Sequence, residues 1–304
     1  MEEQAYAKER SIFSKIFISS NEPRLRAGWR LLTQTILFLL LTVIIGFPVG
    51  IIVYILRGDT SGTVFFAVNE FIELIAVTAS VYIARRFLDR CSFVSLGLKL
   101  DIKILYDVLT GIGITFLMMG SIFAAMSALG WIKLNGFAWQ FDSIPTALFQ
   151  SLLFLIAFVV VGWNEELLSR GYHLQTLASG INLFWGVIIS SAIFGALHLG
   201  NPNATWVGAA GIFFAGLFLA YGYVRTKQLW LSIGLHIGWN FFEGVVFGFP
   251  VSGLSIYPLT RITVSGPEIW TGGAFGPEAG LIVLPAIVLG AVLIYLYTRS
   301  RVVS

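Results

Sequence analysis

Long apolar runs separated by short polar segments organise this chain from end to end. Runs long enough to cross a bilayer, at about 20 residues each, lie near Leu31–Leu56, Val64–Ala84, Leu105–Ile132, Pro145–Trp163, Leu183–Leu197, Trp206–Val224, Trp230–Phe249 and Leu281–Tyr297. No internal repeat of fixed period and no low-complexity segment interrupts them. The pattern predicts an all-α polytopic membrane protein of about eight transmembrane helices. Pro48 and Pro285 fall inside the first and last runs. There they predict kinks, whose freed carbonyls neighbouring helices can satisfy. Gly180 and Asn182 mark a tight turn between the fourth and fifth helices.

Composition removes the soluble alternative. Hydrophobic residues make up 57% of the chain and charged residues 12%, with a mean hydropathy of +0.85, whereas soluble domains run near ~25% charged. The single cysteine, Cys91, can form no intramolecular disulfide. The charges are unevenly placed. Of the 19 Lys and Arg residues, only Arg57, Lys133 and Arg261 fall in alternate loops that would face outwards; all others fall in segments that would face the cytoplasm. This asymmetry predicts a multi-pass protein of the cell membrane with both termini cytoplasmic. Residues 1–30 lack the short apolar core and cleavage site of a signal peptide. They read as a cytoplasmic segment leading into one transmembrane domain over 31–304. The outer loop Pro250–Gly280, rich in Gly, Pro and Ser, reads as irregular structure that caps the helices. The partner implied is the lipid bilayer, and no nucleic acid.

Candidate chemistry comes from the few polar residues inside the apolar runs. Glu70, Glu73, Glu165, Glu166 and Glu243 all lie there, out of 16 acidic residues in the chain. An ionisable group at the centre of a bilayer helix costs about 2.5–3.5 kcal/mol on insertion scales, so it persists where it is paired or used. Glu166 and Arg170 stand one helical turn apart in the favourable order for an ion pair. Glu165 is rotated by about 100° from Glu166 and lacks that partner. Phe194-x-x-x-His198 closes the short fifth helix, and His236-x-x-x-Asn240 lies on the seventh, with Glu243 a further turn along. Each pair alone fits a salt bridge, a satisfied core histidine or interhelical glue.

Their depths make them one constellation. Glu165 lies 16 residues before Ile181 and His198 lies 17 after it, so in an antiparallel hairpin both sit roughly 25 Å from the tip. The fourth helix must then continue past the double glutamate through Tyr172–Leu177. His236 follows the basic loop at Arg225–Lys227 by ten residues and also lies well inside the bilayer. His173, the third of three histidines, is expected near the membrane surface. The structural reading of Glu70 and Glu73 is polar contact facing the bundle interior. An apolar pocket near Phe194, Phe213 and Phe214 could receive a lipid or hydrophobic peptide, although helix packing explains those aromatics as well.

Glu165-Glu166-x-x-x-Arg170, Phe194-x-x-x-His198 and His236-x-x-x-Asn240 resemble, in order and spacing, the motifs of the CAAX-protease and bacteriocin-processing (Abi) family. These are intramembrane glutamic endopeptidases similar to the type II CAAX prenyl endopeptidase. The likeness covers roughly residues 145–245. Ser92-Phe93-x-x-Leu96-Gly97-Leu98 also looks like the family's inter-helix segment, and Ser169 departs from the aromatic residue many members carry. The resemblance implies an eight-helix fold with an active-site cavity sunk in the membrane. It implies hydrolysis of a peptide bond near the C-terminus of a prenylated or otherwise membrane-associated peptide or protein, without a covalent acyl-enzyme and without a cofactor. Carried over by position, Glu165 would activate water, assisted by His198. His236 and Asn240 would stabilise the oxyanion, while Glu166, Arg170 and Phe194 would support the site.

The residues leave other readings open. Glu165, His198 and His236 could instead ligate zinc, with water in a fourth position, although no His-Glu-x-x-His run is present. A proton-coupled transporter could use Glu70, Glu73, Glu165 and Glu243, although inverted repeats are lacking. A non-proteolytic immunity or scaffold protein would keep the fold without the reaction.

Overall fold

The computed structural model describes residues 11–19, 24–57 and 62–301. Part of the 1–30 segment, including Lys8 and Arg10, lies outside the described residues. The chain is mostly helical. Six helices are long and apolar enough to cross a membrane: Ala27–Leu56, Phe65–Leu88, Lys103–Ala128, Ile144–Gly180, Leu183–Gly200 and Trp206–Thr226. A short helix, α1 (Ile12–Phe17), precedes them.

The outermost spanning helix is α2 (Ala27–Arg57). Leu39, Leu40, Val43, Ile44, Phe47 and Ile51 all stay exposed on it, as suits an element apolar on every side and bathed in lipid. It packs on α3 (Gly62–Ile83). A buried junction closes one end of this pair. Asp89 is paired with Arg30, with Arg85 at 3.1 Å and with Arg24 at 3.8 Å. Arg30 also donates to Ser179 Oγ at 2.8 Å. Asp89 thereby ties α2 and α3 to the far end of the helix that carries the double glutamate.

At the centre stands α9 (Trp230–Asn240), with every residue from Leu231 to Asn240 buried. It packs on α4 (Lys103–Ala128), on α5 (Ile144–Glu166) and on α8 (Trp206–Thr226). Small residues allow this close approach. A Cβ on Gly234 would stand 2.4 Å from the Val108 carbonyl oxygen, and one on Gly238 would stand 2.1 Å from Thr115 Oγ1. Glycines four residues apart let helix backbones meet where lipid supplies no hydrophobic drive. From Phe241 to Val246 the helix widens into π geometry. The whole element is thus shorter than the sequence run Trp230–Phe249 predicts. Sheathed in protein, it need not match the bilayer's thickness.

The helix α5 continues through a π-helical segment, Leu167–His173, into α6 (Leu174–Gly180). Continuation past the double glutamate is therefore as the hairpin argument predicts. Asn182 caps α7 (Leu183–Leu197), its Oδ1 accepting from the Trp185 amide at 3.0 Å. The segment 92–98 forms a 3-10 turn wedged beneath the turn between α8 and α9. Gly97, at φ +95°, accepts from the Leu229 amide at 2.8 Å, and a Cβ there would lie 2.9 Å from the Lys227 carbonyl oxygen. Only glycine meets both demands.

The other end of the bundle corrects two sequence expectations. Ile132, expected to end a helix, begins β1 (Ile132–Phe137), which pairs antiparallel with β2 (Thr260–Val264). The outer loop expected to be irregular thus supplies one strand of a ribbon, fastened by Arg261 to Asp142 at 2.5 Å and by Tyr257 Oη to Asp142 at 2.9 Å. The segment around α10 (Glu268–Thr271) leads back to the last helix, α11 (Val283–Thr298). Pro285 falls in the first turn of α11, where its missing N–H has no intrahelical partner to lose, so it does not kink the helix. Pro48 does lie inside α2.

Candidate active site

The three polar pairs meet at one cavity of about 370 Å³. Glu165, His198, His236 and Asn240 all line it, together with Phe194. Glu165 Oε2 lies 3.8 Å from His198 Nε2 and 3.7 Å from His236 Nε2. That oxygen is buried and has no hydrogen-bond partner. The gaps exceed a hydrogen bond, so the three atoms face a common space without closing it.

Hydrogen bonding on the far side of each ring sets what it presents to that space. His198 Nδ1 lies 2.8 Å from the Phe194 carbonyl oxygen. A carbonyl can only accept, so Nδ1 carries the proton and a neutral His198 turns an Nε2 lone pair towards Glu165. His236 Nδ1 lies 2.8 Å from Glu166 Oε1 and donates to it in the same way. Arg170 Nη1 donates to that same Oε1 at 2.8 Å, and its Nη2 donates to the Gly216 carbonyl at 3.0 Å. Both Glu166 and Arg170 are buried. The guanidinium also lies 4.3 Å from the Phe194 ring centroid, a cation–π distance. Phe194 in turn meets the His198 ring at 4.8 Å and the His236 ring edge-on at 6.2 Å. Glu166, Arg170 and Phe194 therefore form a continuous brace behind the two imidazoles.

Residues 146–242 match the family model described as type II CAAX prenyl endopeptidase Rce1-like. That segment, about a third of the chain, is similar to the Rce1-like family. A 100-residue stretch is 32% identical to a Bacillus subtilis (strain 168) protein named "Putative membrane peptidase YdiL". That stretch is 33% of this chain and spans 39% of the relative's length.

The Rce1-like segment holds all seven residues of the three polar motifs, while Ser92–Leu98 lies before it. The cavity wall extends beyond it. Glu70 and Glu73 of α3 line the cavity rather than making packing contacts alone, and Asn164 donates to the Glu70 carbonyl at 3.2 Å. Glu278, Ser252 and Asn201 line it as well. Nothing in the sequence pattern singled out Glu278, because it lies in a loop more than 30 residues from the last motif. Its one signal was a carboxylate in an otherwise small-residue, apolar stretch. His173 is buried within the protein and does not line the cavity. Phe213 and Phe214 do not line it either, and Phe214 is exposed. Among the described residues, no group of three or more His, Cys, Asp or Glu side chains is disposed to hold a metal ion.

Proposed function

We propose that the chain is an intramembrane endopeptidase in which Glu165 activates water against a peptide bond. The substrate would be a membrane-associated peptide or protein, prenylated or plain. The observation that carries this reading is the approach of Glu165 Oε2 to both imidazole Nε2 atoms across a buried cavity. We take the six long helices, with the shorter α9 and α11, as an eight-helix bundle whose termini are cytoplasmic. The cavity then opens within the bilayer.

The reaction balances with these residues alone. A water between Glu165 and His198 gives one proton to the Glu165 carboxylate and donates its second O–H to His198 Nε2. Its oxygen bonds to the scissile carbonyl carbon, and the carbonyl electron pair moves onto oxygen. Asn240 Nδ2 donates to that oxyanion; no partner for this amide is found among the described residues. His236 can donate from Nε2 only as imidazolium, because its Nδ1 proton is already on Glu166. Glu165 then returns its proton to the leaving nitrogen as the C–N bond breaks. Donors fixed before the reaction stabilise developing charge by about 2.7–4 kcal/mol each.

Two serines stand on the wall, Ser169 and Ser252. Neither forms a hydrogen bond to a histidine among the described residues, so neither stands in a serine–histidine pair; the Ser252 hydroxyl donates to Glu278 at 2.7 Å. Cleavage of fluorogenic peptides, prenylated and plain, by detergent-purified protein tests the proposal. Hydrolysis that survives a strong zinc chelator and disappears in Glu165→Ala and His198→Ala supports it. Loss on chelation with rescue by zinc replaces the water-activating glutamate by a metal.

A further inference from the structure

The cavity has a second brace on the side away from Glu166, built from the loop that follows the family segment. Glu278 lies in a short 3-10 turn, Pro277–Ala279, yet is only 4% exposed. Its carboxylate accepts three hydrogen bonds: Oε1 from Trp239 Nε1 at 2.8 Å, and Oε2 from the Ser252 amide at 2.8 Å and the Ser252 hydroxyl at 2.7 Å. The backbone around it is fitted closely to α8, since a Cβ on Gly211 would fall 1.8 Å from the Glu278 carbonyl oxygen.

The donors on Glu278 lead straight to the reacting groups. Trp239 immediately precedes Asn240 and lies three residues after His236 on α9. Ser252 accepts through its carbonyl from Asn201 Nδ2 at 3.0 Å. The Asn201 amide in turn donates to the His198 carbonyl at 3.1 Å. One carboxylate thus connects the helix bearing His236 and Asn240 with the turn bearing His198. Glu268, elsewhere in the same loop, is exposed and belongs to no such network.

We propose that Glu278 is a positioning residue of the hydrolytic site, holding the His198 turn and the Asn240 helix at the separation from which both face Glu165. This rests on the peptidase reading for its kinetic consequence, though not for its structural one. Glu278→Gln keeps the bond from Trp239 but sets an amide NH2 against the Ser252 N–H. Ser252→Ala removes one donor and keeps the backbone bond.

The test pairs kinetics with nitrogen-15 NMR of selectively labelled histidine, tractable because the chain has three histidines. Glu278→Gln is expected to lower kcat at least tenfold, with KM within twofold and the melting temperature preserved. The ring-nitrogen signals of His198 should shift with it. Ser252→Ala should lower kcat a few-fold, and Glu268→Gln should change nothing. Unchanged kcat and unchanged histidine signals in Glu278→Gln overturn the proposal, as does a loss of activity that merely tracks a loss of melting temperature. Abolished activity in a folded Ser252→Ala also overturns it, since the serine would then be reacting itself. If the unmodified protein cleaves no peptide, the peptidase reading fails, and the histidine signals alone still decide whether Glu278 positions the site.

Discussion

His236 Nδ1 rests 2.8 Å from Glu166 Oε1, the same oxygen that receives Arg170 Nη1 at 2.8 Å. One buried carboxylate therefore orients an imidazole and neutralises a guanidinium at once. Removing it leaves Arg170 unpaired in the interior. Breaking a buried pair from one side costs about 3–5 kcal/mol. Glu166→Ala is expected to lose stability of that order in chemical unfolding of the detergent-solubilised protein, as well as activity. Stability close to the parent's would show that the pair is not the brace described.

Glu165 behaves oppositely. Its side chain is about a third exposed to the cavity, at 31%, and makes no ion pair shorter than 3.7 Å. Glu165→Gln should leave stability within about 0.5 kcal/mol while removing the base, a loss of at least about 10²–10⁴-fold in kcat. The contrast between neighbouring glutamates is the informative result: one variant folds and is inactive, the other folds poorly. Equal stability losses in both would sink the division of roles.

For Asn240 the expected signature is kinetic. An amide aimed at the developing oxyanion acts in the transition state alone, so Asn240→Ala should lower kcat by about 10²–10³ with little change in KM. A rise in KM at constant kcat would instead make Asn240 a substrate-binding group.

The hairpin logic that aligned Glu165 with His198 was legible because helix rise is constant. Residue counts of 16 and 17 from Ile181 became an approach of 3.8 Å. The Glu166–Arg170 pair was legible for the same reason, one turn being one turn. What the period could not carry was departure from it. The π geometry of 167–173 and 241–246 leaves no mark in a 3.6-residue pattern. The ribbon did leave one, since Ile132-Lys-Leu and Arg261-Ile-Thr-Val alternate in the manner of strands. The adjoining apolar run masked the first of these. Glu278 was beyond reach for another reason: its contacts to Trp239 and Ser252 depend on where a long loop returns, which no local rule specifies.

At the opposite end of the bundle, Asp89 tests stability without chemistry. It is buried and faces Arg30, Arg85 and Arg24. Asp89→Ala should cost about 3–5 kcal/mol by leaving Arg30 buried without its anion. Whatever protein remains folded should keep the parent's KM, measured on the same peptides. A changed KM would mean that this junction communicates with the cavity.

The uninterrupted rod from Ile144 to Gly180 has 37 residues, roughly 55 Å at helical rise. The hydrocarbon slab is about 30 Å thick, and even a 40° tilt would shorten the rod's projection only to roughly 42 Å. More than ten ångströms, by this estimate, must stand in the headgroup layer. Under the proposed hydrolysis, a rod that overshoots the slab would bring the polar headgroup layer, and with it water, closer to Glu165. On the same reading a scissile bond would meet the site part of the way down, at the seam between headgroups and chains, spared the cost of carrying its own peptide groups to the middle of the bilayer.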